Sequence, residues 1–212
     1  MNIPTKEQFL ESVKNHTVTV LLDSGVYRHL HCTKCSQGSM NRHFDIVTYP
    51  GNLVISGDMG CFVFKRIDDM FKFFRMDDSD FMKSNVINPG YWNEKVEAGK
   101  TTEWDNDVFK ERVNQYLQDW LDYAKESGKD DEFIEEQKEK FSDEFGGVVE
   151  GEWDAVSKIN DWYADEDGID FDDFWESSCN RATYRYIWCC YAIVWAIGEY
   201  DKIQFKGQEA QS

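Results

Sequence analysis

A chain of 212 residues in which aromatics make up 16% and eight are Trp has enough bulky apolar surface to offset the entropy of folding, which excludes a disordered acidic tail. Its formal net charge of −18 works against contact with nucleic acid or an anionic membrane surface and suits high solubility or a basic partner. The opening MNIPTKEQFLESVKN lacks the apolar centre of a secretory signal, so the six Cys read as reduced thiols of a cytoplasmic protein.

Thr5 is placed to cap a short helix whose Phe9, Leu10 and Val13 share a face. Residues 17–22 and 26–32 alternate as strands around the turn signal Asp23-Ser24-Gly25. Three more strands are expected at 44–48, 53–56 and 61–65, separated by Pro50-Gly51-Asn52 and Gly57-Asp58-Met59-Gly60. Asp68 and Asp69 then open a short helix bearing Met70, Phe71, Phe73 and Phe74. From about Asp77 the pattern becomes helical. Phe109, Val113, Tyr116, Leu117, Trp120, Leu121 and Ala124 form a clear stripe over 108–124. A weaker helix over 130–145 has Phe133, Ile134, Phe141 and Phe145 as anchors. Trp153, Val156, Ile159, Trp162 and Tyr163 are expected on adjoining faces of a third, over 153–163. The helix expected over 181–200 is apolar nearly all round, and its 12-residue run YIWCCYAIVWAI is too short to span a bilayer. Within it Cys189 and Cys190 act as small hydrophobes. The expected fold class is α+β. An antiparallel sheet of about five strands occupies 1–76, and an acidic helical part occupies 77–212, the two packed as one unit.

Charge is divided unevenly. Residues 1–75 hold 9 Lys and Arg against 7 Asp and Glu, whereas residues 76–212 hold 14 against 34. All four His lie in the first part.

Several site chemistries can be weighed against this pattern. Asp165-Glu166-Asp167-Gly168 resembles part of a calcium loop. With Gly168 at the sixth position, however, the two end ligands would be Tyr163 and Phe174, and both fail. Cys32 and Cys35 have the spacing of a zinc knuckle with His29, His31 and His43 nearby, but no second Cys pair follows, so no metal or other cofactor is assigned. No G-x-S-x-G, H-E-x-x-H or Gly-rich phosphate loop occurs. A pocket near His29, His31, His43 and Tyr49 remains the alternative for an enzyme or small-ligand binder. The acidic helices offer a different chemistry. Duplex DNA carries one phosphate per ~1.7 Å of axis, and carboxylates every three or four residues on a rigid helix imitate that density. Asp130, Asp131, Glu132, Glu135, Glu136 and Glu139 fit one such face, and Asp165, Glu166, Asp167, Asp170, Asp172 and Asp173 form a second cluster around a turn.

Three blocks, HFDIVTYPGNLVISGDMGCFVFKRIDDMFKFFR, INPGYWNEKVEA and YIWCCYAIVWAI, resemble a family of tailed-bacteriophage and prophage proteins. The resemblance covers most of the chain except about residues 99–170, and Cys32 and Cys35 are not part of its pattern. It implies a phage accessory protein acting in the infected bacterial cytoplasm, and no catalytic residue is carried over with it. By analogy with anti-CRISPR and anti-restriction DNA mimics, the expected function is a non-enzymatic inhibitor of host defence. Its expected partner is a host protein or complex with a basic nucleic-acid-binding groove. No direct contact with nucleic acid or membrane is expected, and homodimerisation is left open. A phage protein modulating another host process through an ordinary interface is the second alternative.

Overall fold

Alternation of large apolar side chains with polar ones sets the first part of the chain. Leu30, Cys32, Phe44, Ile46, Leu53, Ile55, Phe62 and Phe64 are all buried, and their sequence neighbours are half-buried or exposed. The computed structural model describes residues 3–34, 42–75, 87–164, 167–176 and 178–209. Its strands are β1 (His16–Ser24), β2 (Tyr27–Lys34), β3 (Phe44–Tyr49), β4 (Asn52–Gly57), β5 (Gly60–Lys65), β6 (Val96–Ala98), β7 (Thr102–Trp104) and β8 (Asn180–Ala182). Its α-helices among the described residues are α1 (Lys6–Val13), α2 (Met70–Phe74), α3 (Pro89–Asn93), α4 (Asn106–Glu126), α5 (Asp131–Phe145), α6 (Glu152–Asp161) and α7 (Tyr184–Glu209).

The fold is α+β. Strands β1 to β6 form one antiparallel meander in sequence order. The five strands expected from alternation are present, and β6 adds a sixth on the β5 edge. Tyr49 pairs with Asn52 across Pro50-Gly51, where Gly51 has φ +78, the conformation a Pro-Gly type II turn requires. Gly57 is needed for a different reason: a Cβ there would lie 2.2 Å from the His43 carbonyl oxygen. The capping box on α1 is complete, with the Gln8 amide donating to Thr5 Oγ1 and the Thr5 amide to Gln8 Oε1. Asp69 caps α2 and also takes a two-pronged bond from Arg28, at 2.8 and 3.3 Å, while the guanidinium lies 4.7 Å from the Phe71 ring centre.

The chain forms two compact units, Met1–Thr102 with Ala182–Ser212, and Glu103–Arg181, whereas the sequence reading divides it after residue 76. The difference comes from α7. It packs Trp188, Ile193, Ile197 and Tyr200 into the core under the sheet, beside Phe9 of α1 and Phe71 of α2. Tyr186 closes that core by donating its hydroxyl to the Pro89 carbonyl at 2.8 Å. No helix among the described residues is long and apolar enough to cross a membrane.

The 103–181 unit has its own core of Phe109, Val113, Trp120, Ile134, Phe141, Phe145, Ile159, Ile169, Phe171 and Phe174. Its α4 is capped by Asp105, whose carboxylate accepts from the Asp107 and Val108 amides at 2.9 and 3.1 Å and pairs with Arg181 at 3.3 Å. Burial works against that carboxylate. The two amides and Arg181 outweigh it and hold the group below the ordinary Asp value.

Candidate acidic binding surface

The two units differ completely in charge. Residues 103–181 carry 8 Lys and Arg against 26 Asp and Glu, a net of −18, while the other unit carries 15 of each and is formally neutral. The whole charge of the protein therefore belongs to one folded unit. Residues 182–212 carry three basic and three acidic side chains and residues 76–102 carry three and five, so assigning both stretches to the sheet unit turns +2 and −20 into 0 and −18 and confines the excess to 79 residues.

Helix α5 shows how the charge is displayed. At ~100° per residue, Glu132, Glu135, Glu136, Glu139 and Asp143 fall within roughly 60° of one line along the helix. The buried Ile134, Gln137, Phe141 and Phe145 lie on the opposite line. Five carboxylates thus span ~16 Å, about one per 4 Å, close to the ~3.4 Å phosphate spacing along a single DNA strand. Asp131, Glu132, Glu136 and Glu139 are exposed and form no ion pair among the described residues, whereas Glu135 is met by Lys138 at 2.7 Å. Asp130 has a structural task as the α5 N-cap, accepting from the Phe133 amide at 2.8 Å.

The second acidic segment folds by alternation without being a strand. Ile169, Phe171 and Phe174 turn into the core, and Asp170, Asp172 and Asp173 turn out. Asp165 and Glu166 lie outside the described residues. Asp167 adopts a left-handed backbone with φ +65, accepts the Trp120 indole N–H on its carbonyl at 2.9 Å, and pairs through its carboxylate with Lys129. Lys129 immediately precedes Asp130, so this ion pair brings the second cluster beside the start of α5. Asp170 crowds Asp172, with Asp173 adding to the effect, and pushes the Asp172 carboxyl above its ordinary value.

Two grooves lie within this unit. One, of about 530 Å³, runs between α4 and α5 over Phe109, Val113, Leu117, Leu121, Phe141 and Phe145, with Lys110 and Lys138 in its walls. The other, of about 380 Å³, is lined by Ile159, Trp162, Tyr163, Phe171 and Trp175 together with Asp170 and Asp172. Trp153 and Tyr163, expected on adjoining faces of the third helix, are 89% and 77% exposed, and of the two Tyr163 lines this groove. A signal was present for Trp153: at ~100° per residue it lies about 160° from Ala155, one of the two buried residues of α6. Tyr163 lies beyond the end of α6, so helical periodicity does not apply to it.

On the sheet unit, His29 Nε2 and His31 Nδ1 both meet Asp45 Oδ1, at 2.8 and 3.0 Å, and His43 pairs with Asp58 at 3.2 Å. His29 and His31 share one face of β2, as alternation predicts, while Cys32 belongs to the opposite, core face. Burial pushes the Cys32 thiol far up, away from the thiolate a metal would need, and Cys35 lies outside the described residues. Among the described residues no group of three or more His, Cys, Asp and Glu is arranged to hold a metal ion. Neither groove is lined by His29, His31, His43 or Tyr49. No protein-family model, curated protein or solved structure matches the chain.

Proposed function

We propose that this protein is a non-enzymatic inhibitor whose 103–181 unit occupies a basic nucleic-acid-binding surface of a partner protein. The phage and prophage resemblance sets the context: the partner is part of a bacterial defence complex of the CRISPR or restriction type. The observation that carries this reading is the confinement of the full −18 to one folded unit. Within that unit α5 displays five carboxylates at a phosphate-like spacing, of which Glu135 is met by Lys138, on a face fixed by its own core. Attraction between such a unit and a Lys- and Arg-lined groove extends over about one Debye length, ~8–10 Å at physiological salt. It accelerates encounter and orients the approach, and occupation of the groove then excludes the nucleic acid.

The test is capture of partners from bacterial lysate on the tagged full-length protein at about 0.05 M and about 0.5 M salt, followed by displacement with duplex DNA. The expected result is a nucleic-acid-binding protein or complex that salt releases and DNA displaces. Glu132→Lys/Glu136→Lys/Glu139→Lys should fail to capture it. A partner held equally at both salt concentrations, or captured equally by the charge-reversed variant, would overturn the proposal.

A further inference from the structure

We infer that the groove bounded by Trp162, Tyr163, Trp175, Asp170 and Asp172 receives an arginine side chain of the basic partner. The inference rests on the reading just given and names the group that the acidic unit grips.

A planar guanidinium can lie against aromatic rings and present paired N–H groups to a carboxylate at the same time. This groove supplies both kinds of surface. Its walls are held in place before any ligand arrives. The Trp162 indole N–H donates to the Ile169 carbonyl at 2.8 Å, and its ring packs on Phe145 and Phe171 at 5.4 and 5.7 Å between centres. Trp175 packs edge-on against the buried Phe174 at 4.9 Å. Asp170 is set by accepting the Asp172 amide at 2.9 Å. A cation already stands beside these rings within the chain: Lys140 Nζ lies 5.0 Å from the Trp162 centre and 5.8 Å from that of Tyr163, and donates to the Tyr163 carbonyl.

Two further observations agree. Tyr163 is 77% and Trp175 42% exposed, a large aromatic area left in water beside carboxylates. The crowding of Asp170 and Asp173 against Asp172 is a repulsion that an incoming cation relieves.

The experiment titrates the full-length protein with an oligo-arginine peptide and with an oligo-lysine peptide of equal length, reading Trp emission and heat. Tighter binding of oligo-arginine is expected. Tyr163→Ala and Trp175→Ala should each lower that affinity about 3- to 30-fold, with less effect on oligo-lysine, and Trp175→Phe should restore part of it. Tyr163 is mostly exposed, whereas Trp175 is packed on Phe174, so the melting temperature of each variant is measured alongside and Trp175→Phe keeps an aromatic ring on Phe174. Equal binding of the two peptides by the parent protein would overturn the inference. So would an unchanged arginine preference in both alanine variants. If the aromatic variants are silent while Glu132→Lys/Glu136→Lys/Glu139→Lys weakens both peptides, the groove fails and the acidic-surface reading stands. If the aromatic variants lose the preference while the α5 variant binds as before, the groove stands and the α5 surface falls.

Discussion

Glu139→Lys should make the protein more stable, and under the function proposed above it should weaken the hold on a basic partner. Glu139 lies in the middle of α5 with Glu135 four residues before it, Glu136 three before and Asp143 four after, so three carboxylates face it and Ser142 is its remaining neighbour at that spacing. Each like-charged pair at such spacing costs about 0.2–0.5 kcal/mol, and reversing the sign makes each pair attractive by a similar amount. Three pairs give a gross swing of about 1–3 kcal/mol. Glu135 is already met by Lys138, which lowers the expectation to about 1–2 kcal/mol. Lys and Glu have similar helix propensity, and the side chain is exposed, so no other contribution of that size enters. In a urea titration followed by Trp fluorescence, the midpoint should rise by about 0.5–1 M at low salt. The gain should shrink towards zero near 1 M salt, where the Debye length is about 3 Å. A lower midpoint, or a gain that survives high salt, would refute the argument that the α5 stripe holds unrelieved repulsion.

Arg28→Ala should cost about 3–5 kcal/mol, because it leaves the Asp69 carboxylate, with its side chain 14% exposed, without its paired guanidinium; thermal unfolding of the full chain reports this. The same pair has a pH signature: burial opposes the Asp69 charge, Arg28 outweighs it, and the folded carboxyl is held below its ordinary value. Its stabilisation is therefore complete above the ordinary carboxylate range and is lost as pH falls through the lowered folded value, which an acid titration of the melting temperature should show for the parent protein and not for Arg28→Ala. Asp130→Ala should remove about 1 kcal/mol by uncapping α5, whereas Asp131→Ala should stay within about 0.5 kcal/mol, and paired urea titrations separate the two. Gly57→Ala should destabilise by about 1–3 kcal/mol, since the added Cβ meets a backbone carbonyl that cannot rotate away, and amide exchange at β3 and β4 should rise with it.

Much of the sheet can be read from the chain because its determinants are local. Phe44, Ile46, Leu53, Ile55, Phe62 and Phe64 alternate with smaller or polar residues, and Pro50-Gly51 and Gly57-Gly60 mark the turns between them. β6 has only Val96, Glu97 and Ala98, too short for any alternation to register, and exists because the β5 edge is available to it. The destination of α7 is also hidden: an all-round apolar helix announces burial but not which core it enters. In the acidic unit, exposure of Glu132, Glu136 and Glu139 follows from the helical period. The meeting of the two clusters does not, because it depends on the Lys129–Asp167 contact across 38 positions. The aromatic groove was hidden for a related reason. Tyr163 lies beyond the end of α6 and Trp175 within a single 3-10 turn at Phe174–Glu176, both too short of repeating structure for a period to register.

The short ribbon of β7 and β8 has a consequence for how such a protein can change. The Thr183 amide donates to the Thr101 carbonyl at 2.8 Å on one side of it, and the Asp105 amide donates to the Cys179 carbonyl at 3.1 Å on the other. The charged unit is thus an insert whose two ends are stapled together at its root. A tight turn joining residues near 101 and 183 would close the neutral body without it, and a different insert could be grafted at the same root. Substitution within the insert, or its replacement, then leaves the sequence of the sheet and of its long helix untouched, because both are encoded outside residues 103–181.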